Sequence, residues 1–155
     1  MANVYRYLKS GNPEAYRLDP TGTNPVSLGD MVMYDTANFY ILRLTAGNAA
    51  AFVGVAEGVG PTPASNIDNA PNLVESVTVR AHGIFTFNKT TGDSLVHGDP
   101  LVIGADCQTV LKQTAEPDTE IIGYAWLPMQ SAALTGAGTV DVVLHPNAPA
   151  TGVVI

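Results

Sequence analysis

The sequence predicts an all-β fold, a compact β-barrel or sandwich of two similar β units with an extended N-terminal arm and a C-terminal tail. Three observations carry that prediction. Short β-branched and aromatic runs recur along the chain, separated by clusters of Gly, Pro, Asn and Asp. Glycine and proline, 15 and 11 of the 155 residues, interrupt the chain too often for long helices. Finally, Tyr16–Ala56 slides without a gap onto Phe85–Ala125 at an offset of 69 positions.

Only 8 of the 41 aligned positions are identical, but their placement is informative. They include Gly29-Asp30 on Gly98-Asp99, Thr45-Ala46 on Thr114-Ala115, and Gly54 and Ala56 on Gly123 and Ala125. After a shorter linker, Val77–His82 resumes as Val140–His145. Turns and glycine-containing strands are where backbone geometry narrows the choice of residue, so agreement there points to repeated structure. The expected organisation is one β domain, 16–146, built from repeat units 16–83 and 85–146 around an approximate internal two-fold. An arm, 1–15, precedes it and a tail, 147–155, follows.

Each element has its own signal. In the arm, Val4, Tyr5, Arg6, Tyr7 and Leu8 alternate as an extended strand does, before Gly11-Asn12-Pro13 breaks the run. Such a strand either closes its own sheet or adds to a neighbour's edge, which makes these five residues a candidate contact arm toward another subunit. Asp19-Pro20-Thr21-Gly22 reads as a turn, with proline presetting φ and glycine accepting a positive one. Met31–Tyr34 and Phe39–Leu44 read as strands joined through Asp35–Asn38, and Ala51–Ala56 as a short apolar strand with a bulge at Gly54. Only Thr45–Phe52 has any helical character, a turn or two at most. The stretch from Gly58 to Asn72 holds three prolines and no periodicity, and reads as a surface loop. Val77–Phe87 is the strongest strand signal, kinked at Gly83. The second unit then gives Leu101–Ile103, Thr109–Lys112, Ile121–Leu127 and Gly138–His145, stopped by Pro146 and Pro149. The tail ends in the apolar Val153, Val154 and Ile155, a second candidate contact.

Composition narrows the function. Charged residues are 14% of the chain, against about 25% in an ordinary soluble domain, which favours a protein that assembles. The net charge is −7, yet residues 1–18 carry Arg6, Lys9 and Arg17 against Glu14. An acidic body lacks the clustered Lys and Arg that phosphate binding needs, so nucleic acid is not an expected partner. No apolar run is long enough for a membrane span, and the first residues form no signal-peptide core. With a single cysteine, Cys107, no internal disulfide is possible. The expectation is a chain made and kept in a reducing cytoplasm until it assembles.

A search for chemistry finds matched residues but no constellation. His82 and His145 end the two Val-x-Val strands, and Asp30 and Asp99 follow the two turn glycines. A metal site or an acid–base pair would require these to converge, with further ligands that the sequence does not supply. Asp after Gly is ordinary turn chemistry, in which the carboxylate caps backbone N–H groups. Cys107 reads as a packing thiol and Trp126 as a core or interface anchor. No catalytic, metal or cofactor site is expected, and the protein is not read as an enzyme.

The order of these motifs has a parallel. Gly29-Asp30, Val77–Phe87, Gly98–Val102, Ile122–Ala125 and Val140–Leu144 together resemble the capsid decoration, or cement, proteins of tailed bacteriophages. The resemblance covers roughly Tyr16 to His145. It implies a β-barrel subunit, a homotrimer, and binding to the outer surface of a capsid built from the major capsid protein. On that reading the protein is a structural virion component, made in the host cytoplasm and carried on the capsid surface, without cofactor or membrane. The alternative is a ligand- or carbohydrate-binding β module of the head-fibre kind, for which Tyr5, Tyr7, Phe39 and Tyr40 are the candidate aromatics.

Overall fold

Ten strands form two sheets in the computed structural model, which describes residues 14–19, 25–38, 40–61 and 75–145. The first sheet contains β1 (Glu14–Arg17), β2 (Met31–Asp35), β3 (Tyr40–Arg43), β4 (Phe52–Pro61) and β5 (Glu75–Arg80). The second contains β6 (Ile84–Lys89), β7 (Pro100–Ile103), β8 (Thr109–Lys112), β9 (Gly123–Ala125) and β10 (Gly138–Leu144). Strands run β1-β5-β4-β2-β3 across the first sheet and β6-β10-β9-β7-β8 across the second, the same order in both. In the second sheet β8 lies parallel to β6 and closes a barrel. In the first, a single parallel bridge, Leu18 to Ile41, marks the corresponding seam between β1 and β3.

The cores repeat as well as the strands. Leu18, Val26, Val32, Ile41, Val53, Ala56, Val77 and Val79 fill the first unit. An offset of 69, or 63 for the last two, carries them onto Phe87, Leu95, Leu101, Val110, Ile122, Ala125, Val140 and Val142, all buried in the second. Only Ala56/Ala125 and the last two pairs are identical, so what is preserved is apolar side chains at one set of inward positions.

The second core also takes in Met31, Leu44, Ala49, Phe52 and Val55 from the first unit. The second unit's core therefore extends into the first unit, whose own cluster stays separate from it. The units do not meet through the same face of each: Val55 is 1% exposed, and its counterpart Tyr124 is 37% exposed. This burial pattern does not show the two-fold expected from the repeat.

Two boundaries differ from expectation. Strand β4 runs on through Gly58 to Pro61, where a loop is expected, because Gly58, Val59, Gly60 and Pro61 pair with Thr78, Val77, Ser76 and Glu75 of β5. A bulge between Ala56 and Gly58 resets the register, and Pro61 sits at the strand end, where a missing donor is tolerated. The arm is likewise shorter than 1–15, since Glu14 and Ala15 already pair with Val79 and Thr78. The candidate contacts Val4, Tyr5, Arg6, Tyr7 and Leu8, the tail residues Val153, Val154 and Ile155, and Phe39 lie outside the described residues. Among the described residues helix is confined to short 3₁₀ turns, Ala46–Ala51 and Asp118–Glu120, the former kinked at Asn48.

Candidate functional site

The Gly-Asp turns are structural devices, and they are built alike. Gly29 and Gly98 adopt φ of 84° and 87°, a conformation that favours glycine. Each donates its N–H to the matching alanine carbonyl, Ala56 or Ala125, at 2.8 Å. Each following aspartate accepts a backbone N–H through Oδ2: Asp30 from Ser27 (2.8 Å), Asp99 from Val96 (2.9 Å). The second oxygen of Asp30 accepts from Gln108 Nε2 at 2.6 Å, a bond between the two units. Asp99 instead pairs with Lys112 Nζ at 2.8 Å. Burial pushes the Asp99 carboxyl up, but Lys112 and the Val96 N–H outweigh it and hold the group below its ordinary value. The two aspartates thus serve separate turns with separate partners.

The histidines are exposed at the ends of their strands. Their neighbours meet, since Leu144 N–H donates to the Gly83 carbonyl at 3.0 Å, but His145 packs its ring edge-on against Tyr124 (centroids 5.8 Å apart). His97, in the second Gly-Asp turn, accepts the Leu127 N–H through Nδ1 at 2.9 Å and sets its ring against Trp126 at 5.2 Å. Among the described residues no group of three or more His, Cys, Asp or Glu could hold a metal ion.

Cys107 is buried, and burial, with the nearby Asp30 carboxylate second, pushes its thiol up to about 11. Lys89 is buried too, and its ammonium donates to the carbonyls of Thr90 (3.1 Å) and Gly136 (2.7 Å), tying the segment before β10 to the end of β6. Both act as packing and pinning groups. Tyr40, a candidate aromatic, is half-buried with the Arg17 guanidinium 4.9 Å from its ring centre.

The outer wall of the closed barrel carries exposed apolar side chains. Ile84 pairs with Val143 across β6 and β10, Val143 with Tyr124 across β10 and β9, and Tyr124 with Pro100 across β9 and β7. These four cross-strand neighbours make an apolar band over four strands. Trp126, 40% exposed, lies beside it, held by its N–H to the Asp141 carbonyl at 2.7 Å. Met129 stands out almost wholly exposed just beyond. Trp126 is therefore a surface residue and not part of the core. The alternation Tyr124-Ala125-Trp126 carries this signal in the sequence, because a buried Ala125 turns both flanking aromatics outward. Ile84 and Val143 escape notice, since nothing in a β-rich run says which face is wet.

Comparison with models of known protein families found no match, and comparison with curated proteins likewise found none. Among the described residues no helix is long and apolar enough to cross a membrane.

Proposed function

We propose that the protein is a structural virion subunit: a homotrimeric decoration protein that binds the outer surface of a phage capsid and stabilises it through contacts with the major capsid protein. The observation that carries this reading is the apolar band Ile84–Val143–Tyr124–Pro100, flanked by Trp126, on the wall of a closed barrel. Exposed aromatic side chains held by a rigid sheet supply contact area at little entropic cost. The polar side chains described above are committed to turns and pins, which leaves contact as the work of the surface. The motifs that resemble those of decoration proteins fall on the two Gly-Asp turns and, in part, on the strands that build this wall. Three linked copies would multiply weak contacts by avidity, with gains of roughly 10²–10⁴-fold.

The test combines light scattering with co-sedimentation on the cognate capsid. A trimer that pellets with capsids and raises their disruption temperature is the expected result. A protein that neither self-associates nor binds capsids overturns the reading. A second reading, a carbohydrate-binding module, is favoured by the two ring pairs Tyr124–His145 and Trp126–His97 on the exposed wall. Glycan-array binding abolished by Trp126→Ala, without capsid binding, would select it.

A further inference from the structure

The contact between the two units is unequal: the equivalent 3₁₀ turns, Ala46–Ala51 and Asp118–Glu120, meet each other, but the strand faces beside them do not match. In the first unit the face formed by Met31, Phe52 and Val55 is buried in the shared core. The β7–β8 turn of the second unit lies against it: the Cys107 carbonyl accepts the Met31 N–H at 2.7 Å, and Gln108 reaches Asp30. The offset of 69 carries that face onto Pro100, Ile121 and Tyr124 of the second unit. There Ile121 is buried, but Tyr124 stands 37% exposed with Trp126 beside it. The same offset carries the covering turn back onto the β2–β3 turn of the first unit, where Thr36, Ala37 and Asn38 are exposed. Asp35 braces that turn by accepting the Ala37 N–H at 2.9 Å and the Asn38 side-chain amide at 2.9 Å. One chain thus carries sequence counterparts of both sides of its internal contact, an open face at Tyr124 and an exposed β2–β3 turn.

We infer that a second copy of this chain covers the Tyr124–Trp126 face, with the β2–β3 turn of its first unit placed as the β7–β8 turn is placed within the chain. Such a contact is heterologous, so copies join head to tail, and a closed ring leaves neither half unused. The inference rests on the reading of the protein as a self-assembling subunit and adds which surfaces assemble it. Two differences between the faces fit. Pro100 stands where Met31 does and has no N–H to leave unpaired. Asp99, at the position of Asp30, already has Lys112 as its partner.

Two experiments on the full chain decide it. Light scattering of Tyr124→Arg should show one chain's mass where the wild type shows several, with circular dichroism and melting unchanged. Oxidation of a chain carrying both Asn38→Cys and Pro100→Cys, the counterparts of Cys107 and Met31, should give a ladder of disulfide-linked chains that ends at the ring size. Either single variant, whose new cysteine faces no thiol across a head-to-tail contact, should give no ladder. Should Tyr124→Arg fail to fold, the ladder decides alone. Unchanged assembly in a folded Tyr124→Arg, or disulfides that form only within one chain or not at all, overturns the inference. A wild type that binds capsids as a monomer overturns it while sparing the decoration reading. A ladder from a protein that ignores capsids does the reverse.

Discussion

Gly54 and Gly123 show how tightly a single position can be specified. A Cβ on Gly54 would fall on the Arg80 carbonyl oxygen and 2.8 Å from Val79 Cγ1. A Cβ on Gly123 would meet the equivalent atoms, the Val143 carbonyl oxygen and, at 2.6 Å, Val142 Cγ1. Both clashes are with backbone or buried core, so neither can be relieved by a rotamer change. Gly54→Ala and Gly123→Ala should each lower stability by at least about 2 kcal/mol in urea unfolding. Gly47→Ala, where an added Cβ has nothing within 4 Å, should change it by less than about 1 kcal/mol. That the same two neighbours crowd both glycines is the most detailed agreement between the units, down to individual atoms.

At the scale of elements, the Asp99–Lys112 pair ties the second Gly-Asp turn to β8, and its contribution has a definite pH dependence. The Asp99 carboxyl titrates lower in the folded than in the unfolded chain, where its ordinary value is 3.8. The unfolded state therefore binds more protons in the interval between the two values, and stability rises with pH there. The contribution is fully present above the unfolded value and is lost as pH falls through the folded one. Asp99→Asn should flatten that part of a stability–pH profile measured by urea unfolding, leaving the profile above about pH 5 parallel to wild type. Much of this level was legible in the sequence. Gly-Asp announced the turns, Thr109–Lys112 was bounded correctly, and the repeat offset anticipated equivalent strands. The end of β4 was not legible, because Gly58, Gly60 and Pro61 have poor strand propensity and are held there by pairing with β5. Nor was the seam, since a parallel β6–β8 contact depends on chain ends brought together only by the finished barrel.

Over the whole molecule, the shared core couples the two units. Phe52 belongs to the first unit by sequence and is fully buried in the core of the second. Phe52→Ala should cost about 3–5 kcal/mol, and should shift far-ultraviolet dichroism and Trp126 fluorescence to a common lower midpoint. Separate midpoints for the two probes would mean that the units unfold independently. The candidate surface was only half legible for the same reason: the sequence shows that Tyr124 replaces Val55, but not that one face is covered and the other open. The sheltered Cys107 has a practical side. With its thiol raised to about 11, roughly one molecule in ten thousand carries a thiolate there at neutral pH. A cysteine introduced on the exterior would then be the thiol that a maleimide dye reaches first, so the native residue can stay while the protein is tagged at a chosen spot.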